Sequence, residues 1–470
     1  MTPGSGFMHD LLIIGSGPGG YVAAIRAGQY GLKVGVVEKS AKLGGTCLHV
    51  GCIPTKALLH TADLYEEFLH AEEHGILCEN IRLDWSRVQA RKNKIVLKHS
   101  KGIEMLFRKH KIETIPGRGR LLGAGRVEVA GAEGTREIGA RHVILATGSE
   151  ARLLPGLEID PQRILTNVEI LDLAEIPRSL VIIGAGAVGV EFASLYRRLG
   201  AEVTLLEMLP RLVPLEDEEI SAELERSFKK QGITIHTGAR VEQVQKLAEG
   251  VAVSVRDASG QTQVVRAEKV LVAVGRRPNT EDLGLENTAV RADRGFIPVD
   301  QWMATAEPGV WAIGDIVAGT PQLAHTASME GLVAAARIAG QPARPVNYRR
   351  NPSCTYCEPQ IGSVGLTEAQ ARAEGYAARA GKFGFGANSK SSILGRHSGF
   401  VKVVAEEKYG EILGVHIIGP SATELIAEAV AAMEAEATVE SMLWTTHAHP
   451  TLSEAVGEAF QAFQGMAINA

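Results

Sequence analysis

The segment HDLLIIGSGPGGYVAAIRAGQYGLKVGVVE, residues 9–38, decides the fold of this chain. Its apolar start, His9–Ile14, predicts a buried parallel strand. That strand leads into three glycines at the spacing of a phosphate-binding turn: Gly15, Gly17 and Gly20. A helix-like stretch and a second strand follow, ending at Glu38, whose carboxylate can bind a ribose hydroxyl. The segment therefore predicts a β-α-β unit that binds a dinucleotide at the helix N-terminus.

A second copy of this unit lies further along the chain. Leu180–Ile183 leads into three more glycines: Gly184, Gly186 and Gly189. A helix and another strand follow, and that strand ends at Glu207. The acidic residue stands at the same distance from the first glycine in both copies, which is improbable by chance. Two dinucleotide-binding domains, and two different nucleotides, are expected.

Two later strands are expected to complete the two sheets. Val143–Leu145 runs into a turn that contains Thr147 and Gly148, and Val270–Val274 runs into Gly275. Apolar runs of this length, each closed by a glycine turn, are typical of buried strands. We therefore place domain boundaries near residues 150 and 276.

From about residue 347 the pattern changes. Residues 402–418 alternate in polarity and reverse at Lys408–Gly410, as in an antiparallel hairpin. Ser421 and Glu424 have the spacing of a helix capping box. Apolar residues then recur at helical spacing in two segments: Ile426, Val430 and Met433, and later Val456, Phe460 and Phe463. We expect these apolar helix faces to be exposed, and a separate α+β domain that packs by exposed apolar helices is what a dimerisation domain needs.

The predicted fold class is therefore α/β, with two Rossmann-like dinucleotide-binding domains and a C-terminal α+β dimerisation domain. We expect the first nucleotide-binding domain at residues 9–149 and the second at 150–275. Residues 276–347 are expected to complete the first site, and residues 348–470 to form the interface domain.

Composition limits the classes of protein to consider. The chain has 470 residues, 45% of them hydrophobic, and a net charge of −5, which is typical of a soluble enzyme and gives no reason to expect nucleic acid. No apolar stretch approaches the roughly 18 residues of a membrane span, and residues 1–8 lack the features of a secretory signal. Five cysteines, an odd count, favour a reducing cytoplasm.

The candidate reactive centre is the stretch GGTCLHVGCIPTK, residues 44–56. Cys47 and Cys52 stand among glycines, as in a redox pair at the mouth of a helix. The N–H groups and partial charge of a helix N-terminus stabilise thiolate over thiol, and a lowered thiol pKa would favour thiol–disulfide exchange. Two buried structural cysteines or a static disulfide are the alternatives.

Together these motifs resemble the two-cysteine flavoprotein disulfide reductases, a group of pyridine nucleotide-disulfide oxidoreductases, from His9 to Phe463. The resemblance implies FAD in the first unit and a nicotinamide nucleotide in the second. The implied FAD-site residues are Gly15, Gly17, Gly20, Glu38, Lys56, Thr147, Gly148 and Asp315. Asp315, which follows the apolar run Val310–Ile313, would bind the ribityl chain; a turn-capping aspartate is the alternative.

The implied nicotinamide-site residues are Gly184, Gly186, Gly189, Glu207 and Gly275. Glu207 would accept hydrogen bonds from a ribose 2′-hydroxyl and repel a 2′-phosphate, so NAD is favoured over NADP. Arg211 is near enough in sequence to leave NADP open. Glu191 resembles a family glutamate that pairs with the flavin-side lysine, here Lys56; a solvated helix charge is the alternative.

The motif HAHPTLSE, residues 447–454, resembles the dihydrolipoamide dehydrogenases within this family. The resemblance implies that His449 is the acid–base, that Glu454 orients it, and that both serve the other subunit's cysteines in a homodimer. Imidazole titrates near neutrality and a carboxylate supports its protonated form. Thr451 and Glu454 also fit a capping box, so Glu454 could start the last helix as well. We expect His447 to be structural.

The implied activity is the oxidation of protein-bound dihydrolipoamide to lipoamide through a Cys47–Cys52 redox disulfide and FAD, with NAD⁺ as final acceptor. The implied partner is the lipoyl-bearing acyltransferase of a 2-oxo acid dehydrogenase complex, of which the chain would be the shared component. Rival functions are a glutathione or mercuric reductase and a non-catalytic core protein. The tail after Phe463 has no cysteine pair for mercury, Glu207 and the His-Ala-His-Pro motif disfavour glutathione, and an intact Cys47, Cys52 and His449 set disfavours a purely structural role.

Other residues depart from the family pattern or lie outside it. His49 stands where asparagine is more usual, and could alter the pKa values of the cysteine pair or have no effect. Cys354 and Cys357 form a C-x-x-C, for which incidental reduced cysteines are favoured over a regulatory disulfide or an intersubunit metal site. Cys78 is expected to be a buried small hydrophobe. No metal is expected in the active site.

Overall fold

The computed structural model of the chain describes residues 8–469 and divides into two units. The first contains the chain up to Ala57, Arg87–Arg152 and Arg276–Tyr348. The second contains Leu58–Ser86, Leu153–Gly275 and the chain from Arg349 onward. The expectation that the N-terminal segment is not a secretory signal concerns residues 1–8, of which residues 1–7 lie outside the described part. The four domain ranges stay a prediction.

The first unit is built on a sheet centred on the strand His9–Ile14, which pairs in parallel on both sides. The strands are, in order across the sheet, Glu113–Pro116, Val34–Glu38, His9–Ile14, Gly134–Leu145, Arg126–Gly131 and Arg118–Gly123, with Val310–Ala312 also on Gly134–Leu145. A separate two-stranded ladder joins Ser149–Ala151 to Arg276–Pro278. As predicted, the strand that ends at Leu145 completes the first sheet.

The helices that begin in or belong mainly to the first unit are Pro18–Gln29, Gly45–Val50, Cys52–Leu69, Trp85–Lys109 and Ala324–Ile338. The first and last of these pack with almost no space between them. A Cβ on Gly19 would lie 3.0 Å from the Ala327 carbonyl oxygen, and one on Gly331 would lie 2.7 Å from the Gly19 carbonyl oxygen. Glycine at both positions therefore lets the two backbones approach closely beside the glycine loop.

In the second unit, a parallel sheet repeats the first arrangement. Its strands are, in order, Thr234–His236, Glu202–Leu206, Ser179–Ile183, Lys269–Val272 and Ile164–Leu165. An antiparallel sheet follows the order Arg240–Lys246, Val251–Arg256 and Thr262–Ala267. The accompanying helices are Ala187–Arg198 and Glu218–Lys230. The expected strand after residue 268 does complete this sheet.

The C-terminal part of the second unit is an antiparallel sheet with helices. The strand order is Ser353–Thr355, Gln360–Gly365, Ile412–Gly419, Phe400–Glu406 and Ala378–Gly384. The helices are Glu368–Ala373, Ser389–Ile393, Ala422–Glu434, Val439–Leu443 and Glu454–Phe463. The helical spacing is confirmed, but the apolar faces of the longer helices are buried with the sheet residues in one core, so the expectation that these faces are exposed is wrong.

The predicted fold class is confirmed by these two α/β sheets and the C-terminal α+β part. The predicted hairpin is also confirmed, by Phe400–Glu406 pairing with Ile412–Gly419. The capping box at Ser421 is wrong: its φ is 56°, a left-handed conformation, and its side chain makes no cap hydrogen bond. A capping side chain requires an extended backbone at that position. Within residues 8–469, every helix is too short or too polar to span a membrane.

Candidate active site

Cys47 and Cys52 lie side by side at the start of two consecutive helices. Cys47 is in the first turn of Gly45–Val50, and Cys52 is the first residue of Cys52–Leu69. Gly51 separates the helices, and a Cβ there would lie 2.9 Å from the Thr46 carbonyl oxygen. The two cysteines are free thiols joined by a hydrogen bond. The fold thus brings together the pair that the sequence singles out.

The expectation that the helix terminus lowers the thiol pKa is wrong for Cys47. The hydrogen bond with Cys52 and burial raise the pKa of the Cys47 thiol, and the charge of Lys56 offsets this only in part. A hydrogen bond to the neutral thiol and removal from water both favour the protonated form.

His49 holds the loop that precedes the cysteines. Its Nε2 lies 2.8 Å from the Leu43 carbonyl oxygen, which also accepts a hydrogen bond from the Ser100 hydroxyl at 3.2 Å. A buried carbonyl with two donors is fully satisfied. The imidazole at this position therefore has a structural partner in the chain.

The first glycine loop has the form needed to hold a pyrophosphate. A Cβ on Gly15 would lie 2.3 Å from the Ala146 carbonyl oxygen, and one on Gly20 would lie 2.0 Å from the Gly15 carbonyl oxygen. At Gly17, in contrast, nothing lies within 4 Å of such a Cβ. This open space adjoins the N-terminus of the helix Pro18–Gln29, where unpaired N–H groups can bind an anion.

The second glycine loop repeats this geometry. A Cβ on Gly184 would lie 2.3 Å from the Ala273 carbonyl oxygen, and one on Gly189 would lie 1.9 Å from the Gly184 carbonyl oxygen. Gly186 again has nothing within 4 Å, at the N-terminus of Ala187–Arg198. Both loops therefore fit a dinucleotide by the same criterion.

A buried carboxylate connects each strand end to its glycine loop. Glu38 accepts hydrogen bonds from the Ser16 N–H at 2.9 Å and from the Ser40 N–H at 2.8 Å. Glu207 accepts one from the Ala185 N–H at 2.7 Å and one from the Leu209 N–H at 2.8 Å. A carboxylate has about four acceptor sites, so each keeps capacity for a ribose hydroxyl.

Arg211 is occupied elsewhere. Its guanidinium donates to Glu218 Oε1 at 2.7 Å and to the Pro214 carbonyl oxygen at 3.0 Å. A cation engaged in this way is less able to receive a 2′-phosphate. The geometry around Glu207 thus favours NAD, in agreement with the prediction from the sequence.

Asp315 takes part in a contact that the sequence does not reveal. Its carboxylate accepts a hydrogen bond from the Ser149 hydroxyl, and Arg276 Nε lies 3.7 Å from the same oxygen. Arg276 also donates to the Ser149 hydroxyl at 2.6 Å. The turn-capping alternative is wrong, because the side chain of Asp315 bonds to Ser149 rather than to its own turn. Ser149 and Arg276 carry no motif that would have singled them out.

The remaining first-site residues lie on the turn after Leu145. The Thr147 hydroxyl donates to the Asn279 carbonyl oxygen at 2.6 Å, so it is used within the turn. Gly148 has a φ of 67°, which glycine adopts without strain. Gly275, in the second unit, has nothing within 4 Å of an added Cβ.

Glu191 is buried, with 4% of its surface exposed, so the alternative of a solvated helix charge is wrong. Its Oε1 accepts a hydrogen bond from the Tyr356 N–H at 3.0 Å. Pairing of Glu191 with Lys56 stays a prediction.

His449 and Glu454 form a hydrogen-bonded pair in the second unit. His449 Nδ1 lies 2.8 Å from Glu454 Oε1, and the Thr451 N–H donates to Glu454 Oε2 at 2.8 Å. The Thr451 N–H and His449 together lower the pKa of Glu454. Glu454 also begins the last helix, as predicted, but the capping box is wrong, because Ser453 precedes the helix and the Thr451 hydroxyl donates to the Ala448 carbonyl oxygen. The acid–base role of the pair stays a prediction.

The exposed imidazole of His449 faces a cavity of about 300 Å³. Residues that line it include Phe383, Asn388, Met442, His449, Glu454 and Gln461. Since Glu454 engages Nδ1, the ring can present Nε2 to a reactant. The arrangement can accept or donate a proton at that nitrogen.

Two family sequence models match this chain. One, described as pyridine nucleotide-disulphide oxidoreductase, matches residues 9–331, and the other, the dimerisation domain of the same family, matches residues 351–460. The chain belongs to the pyridine nucleotide-disulphide oxidoreductase family. Its membership supports the predicted cofactors, FAD and NAD, and its dimerisation domain supports the predicted homodimer.

Named relatives within this oxidoreductase family match almost end to end. Dihydrolipoyl dehydrogenase of Bacillus subtilis is 43% identical over 98% of this chain and 99% of its own length. Dihydrolipoyl dehydrogenase 3 of Pseudomonas aeruginosa is 44% identical with the same coverage. The mitochondrial dihydrolipoyl dehydrogenase of Pisum sativum is 41% identical over 97% of this chain and 91% of its own.

Two solved structures are also similar to this chain. LpdA from Mycobacterium tuberculosis has a TM-score of 0.89 and 29% identity, covering 96% of this chain and 99% of that one. The Cu(II) complex of RclA, an HOCl-induced flavoprotein disulfide reductase from Escherichia coli, has a TM-score of 0.86 and 26% identity with the same coverage.

In this family member His447 has a structural setting, as expected. Its Nε2 lies 2.7 Å from Glu428 Oε1, and the side chain is only 11% exposed. Hydrogen bonding to Glu428 raises the pKa of His447. A Cβ on Gly457 would lie 2.9 Å from His447 Nδ1, so the ring is packed against the last helix.

The cysteines outside the pair have distinct environments. Cys78 is exposed, so its expected burial is wrong: the chain around it leaves Ile76 and Leu77 exposed as well. The Cys354 thiol points to the Thr423 carbonyl oxygen, while the Cys357 thiol is buried and donates to the Pro359 carbonyl oxygen at 3.2 Å. Burial raises the pKa of Cys357. Within residues 8–469, no group of three potential ligands could hold a metal.

One buried acid carries no signal among the sequence motifs. Glu330 is fully buried and accepts hydrogen bonds from the Gly314 N–H at 2.5 Å and from the Tyr348 hydroxyl at 2.9 Å. Burial raises its pKa to about 7. The signal that could have found it is an acid on the apolar face of a helix, between Ala327 and Ala334.

Proposed function

We propose that this oxidoreductase oxidises protein-bound dihydrolipoamide to lipoamide, with NAD⁺ as final acceptor. The observation that carries the proposal is the paired thiols of Cys47 and Cys52 in a chain that also holds the His449–Glu454 pair. Near-complete matches to dihydrolipoyl dehydrogenases, at 41% to 44% identity, support the substrate.

The chain's part in the reaction is thiol–disulfide exchange and proton transfer. One substrate thiolate attacks Cys47 of the oxidised pair, the S–S bond breaks, and Cys52 leaves as thiolate. The second substrate thiolate attacks the mixed disulfide, which forms the lipoyl disulfide and releases Cys47. The substrate loses two electrons and the cysteine pair gains them. Bound FAD would supply the redox chemistry that links this pair to NAD⁺.

His449 is proposed to accept the proton of the attacking substrate thiol at Nε2, while Glu454 holds the ring by Nδ1. An imidazole held by a carboxylate in this way keeps one tautomer and one orientation. We propose that His449 and Glu454 of one subunit serve the cysteines of the other subunit in a homodimer.

The two glycine loops are proposed to hold different nucleotides. FAD would be held by Gly15, Gly17, Gly20, Glu38, Lys56, Thr147, Gly148 and Asp315. NAD would be held by Gly184, Gly186, Gly189, Glu207 and Gly275, and Glu191 would pair with Lys56 on the flavin side. We further propose a role in a 2-oxo acid dehydrogenase complex, beside its lipoyl-bearing acyltransferase, and a cytoplasmic location, which the odd number of cysteines supports.

The direct test is NADH formation from dihydrolipoamide by the purified flavoprotein. Cys47→Ser and Cys52→Ser are each expected to abolish turnover while flavin absorbance shows that FAD stays bound. Cys78→Ser, an exposed cysteine, is the matched control and is expected to leave the rate unchanged. Undiminished turnover in either active-site variant, or faster reduction of glutathione disulfide with NADPH, would refute the proposal.

A further inference from the structure

The helix Trp85–Lys109 carries a row of cations along one face. Residues spaced alternately by four and three positions share one side of an α-helix. Six basic residues at this spacing are all exposed: Arg87, Arg91, Lys94, Lys98, Lys101 and Arg108. Met105, also exposed, fills the remaining position. This row, the basic face, extends for roughly 30 Å at 1.5 Å per residue.

The three central lysines of the basic face lack the compensation seen on another helix of the chain. On Glu218–Lys230, Lys229 pairs with Glu225 at 2.6 Å. On the basic face, Lys94, Lys98 and Lys101 form no ion pair with any residue of the described range 8–469. Like charges three or four residues apart destabilise a helix. Three uncompensated lysines at this spacing, in a chain of net charge −5, are therefore better explained by binding than by stability.

The basic face lies beside the helix that begins at Cys52. Arg91 Nη1 donates to the Ala57 carbonyl oxygen at 3.3 Å, and Ala57 is roughly 8 Å along that helix from Cys52. On its buried side, the helix Trp85–Lys109 contacts the loop before the cysteines, where the Ser100 hydroxyl donates to the Leu43 carbonyl oxygen. Anything bound along the basic face is therefore held next to the elements that carry the reactive pair.

We propose that the basic face docks the acidic surface of the protein domain that carries the dihydrolipoyl group. This inference rests on the proposed function, in which the substrate thiols arrive on a carrier protein. A row of Lys and Arg is complementary to Asp and Glu, and such charge pairs steer encounter and position a partner. The length of the row matches the diameter of a small domain. Its place beside the cysteine helix favours a carrier over a membrane or nucleic acid.

The test compares two substrates of one enzyme, free dihydrolipoamide and a reduced lipoyl domain of net negative charge. The variant is Lys94→Glu, Lys98→Glu and Lys101→Glu combined. We expect its kcat/KM for the domain to fall by at least about tenfold at low salt, because electrostatic steering is lost. With free dihydrolipoamide, which is neutral, the change should stay within about twofold.

The matched control is Lys230→Glu, Arg266→Glu and Arg344→Glu combined. These are three exposed cations far apart in sequence, and the control changes net charge by the same amount. It should behave as wild type with both substrates. For the wild type, kcat/KM with the domain should fall as salt increases, whereas the basic-face variant should show a flat dependence. Flavin content and circular dichroism check the fold, and the Gln triple variant replaces the Glu triple if that one does not fold.

The outcomes separate the two proposals. Wild type that cannot oxidise free dihydrolipoamide overturns the proposed function. Normal oxidation of free dihydrolipoamide, with domain kinetics unaffected by the basic-face variant, overturns the docking surface alone. The docking surface is also overturned if the basic-face variant loses only affinity for anionic vesicles or for single-stranded DNA, or if both triple variants lose activity equally.

Discussion

His449 Nδ1 and Glu454 Oε1 lie 2.8 Å apart, and the same glutamate is the first residue of the last helix. The Thr451 N–H adds a second hydrogen bond to this carboxylate. Orientation of the imidazole is thus built into the start of the helix.

Glu454→Gln is expected to lower kcat for dihydrolipoamide oxidation by between about tenfold and a thousandfold, because an unoriented imidazole is a poorer acid–base. KM should change little, since Glu454 acts through His449. Steady-state NADH formation measures both. The control is Glu428→Gln, which removes the carboxylate of the other histidine pair, His447–Glu428, and should leave kcat within about twofold. Equal losses in the two variants would contradict the assigned roles.

Gly186→Ala is expected to weaken NAD binding without loss of stability. An added Cβ meets no atom within 4 Å, so the fold accepts it, but it fills the space that a pyrophosphate needs. KM for NAD⁺ should rise while the melting temperature and flavin content stay constant. Gly189→Ala is the contrasting variant: its Cβ would lie 1.9 Å from the Gly184 carbonyl oxygen, so this protein should be destabilised. A stable Gly189→Ala protein would argue against the loop geometry.

Glu330 is expected to make stability depend on pH in a definite window. Burial raises its pKa from 4.5 to about 7. Its stabilising contribution is fully present below pH 4.5 and is lost as pH rises to about 7, because only the unfolded chain ionises in between. The slope is at most about 1.4 kcal/mol per pH unit. Glu330→Gln should remove this slope, which urea unfolding from pH 5 to pH 8 would measure. If the free energy of unfolding varied with pH in the same way in the wild type and in Glu330→Gln, this mechanism would be ruled out.

The three cysteines outside the pair are expected to react with alkylating reagents in the order of their exposure. Cys78 should react first, because it is exposed, and Cys357 last, because it is buried and its thiol pKa is raised. Mass spectrometry of the folded protein after timed alkylation gives the order. The double variant Cys354→Ser and Cys357→Ser should retain full activity. If the double variant lost activity, and an oxidant caused the same loss in the wild type, a regulatory disulfide would be indicated instead.

Much of the architecture is readable from the sequence because each signal is local. A strand, a glycine turn and a helix that follow one another within thirty residues must form one β-α-β unit, and its repetition predicts the second. Within the cysteine pair, and likewise within the His449–Glu454 pair, the two residues are only a few positions apart in the sequence. Backbone geometry alone brings such neighbours together.

The features that the sequence left open or misjudged depend on distant contacts. The raised pKa of Cys47, the burial of Glu191 and the exposure of Cys78 follow from what packs around each side chain. The contact of Ser149 and Arg276 with Asp315 joins three separate segments of the chain. The sequence determined by itself which groups carry the chemistry, since their spacing is local. Only the tertiary structure decided their protonation and their partners, because burial and charge are set by residues far away along the chain.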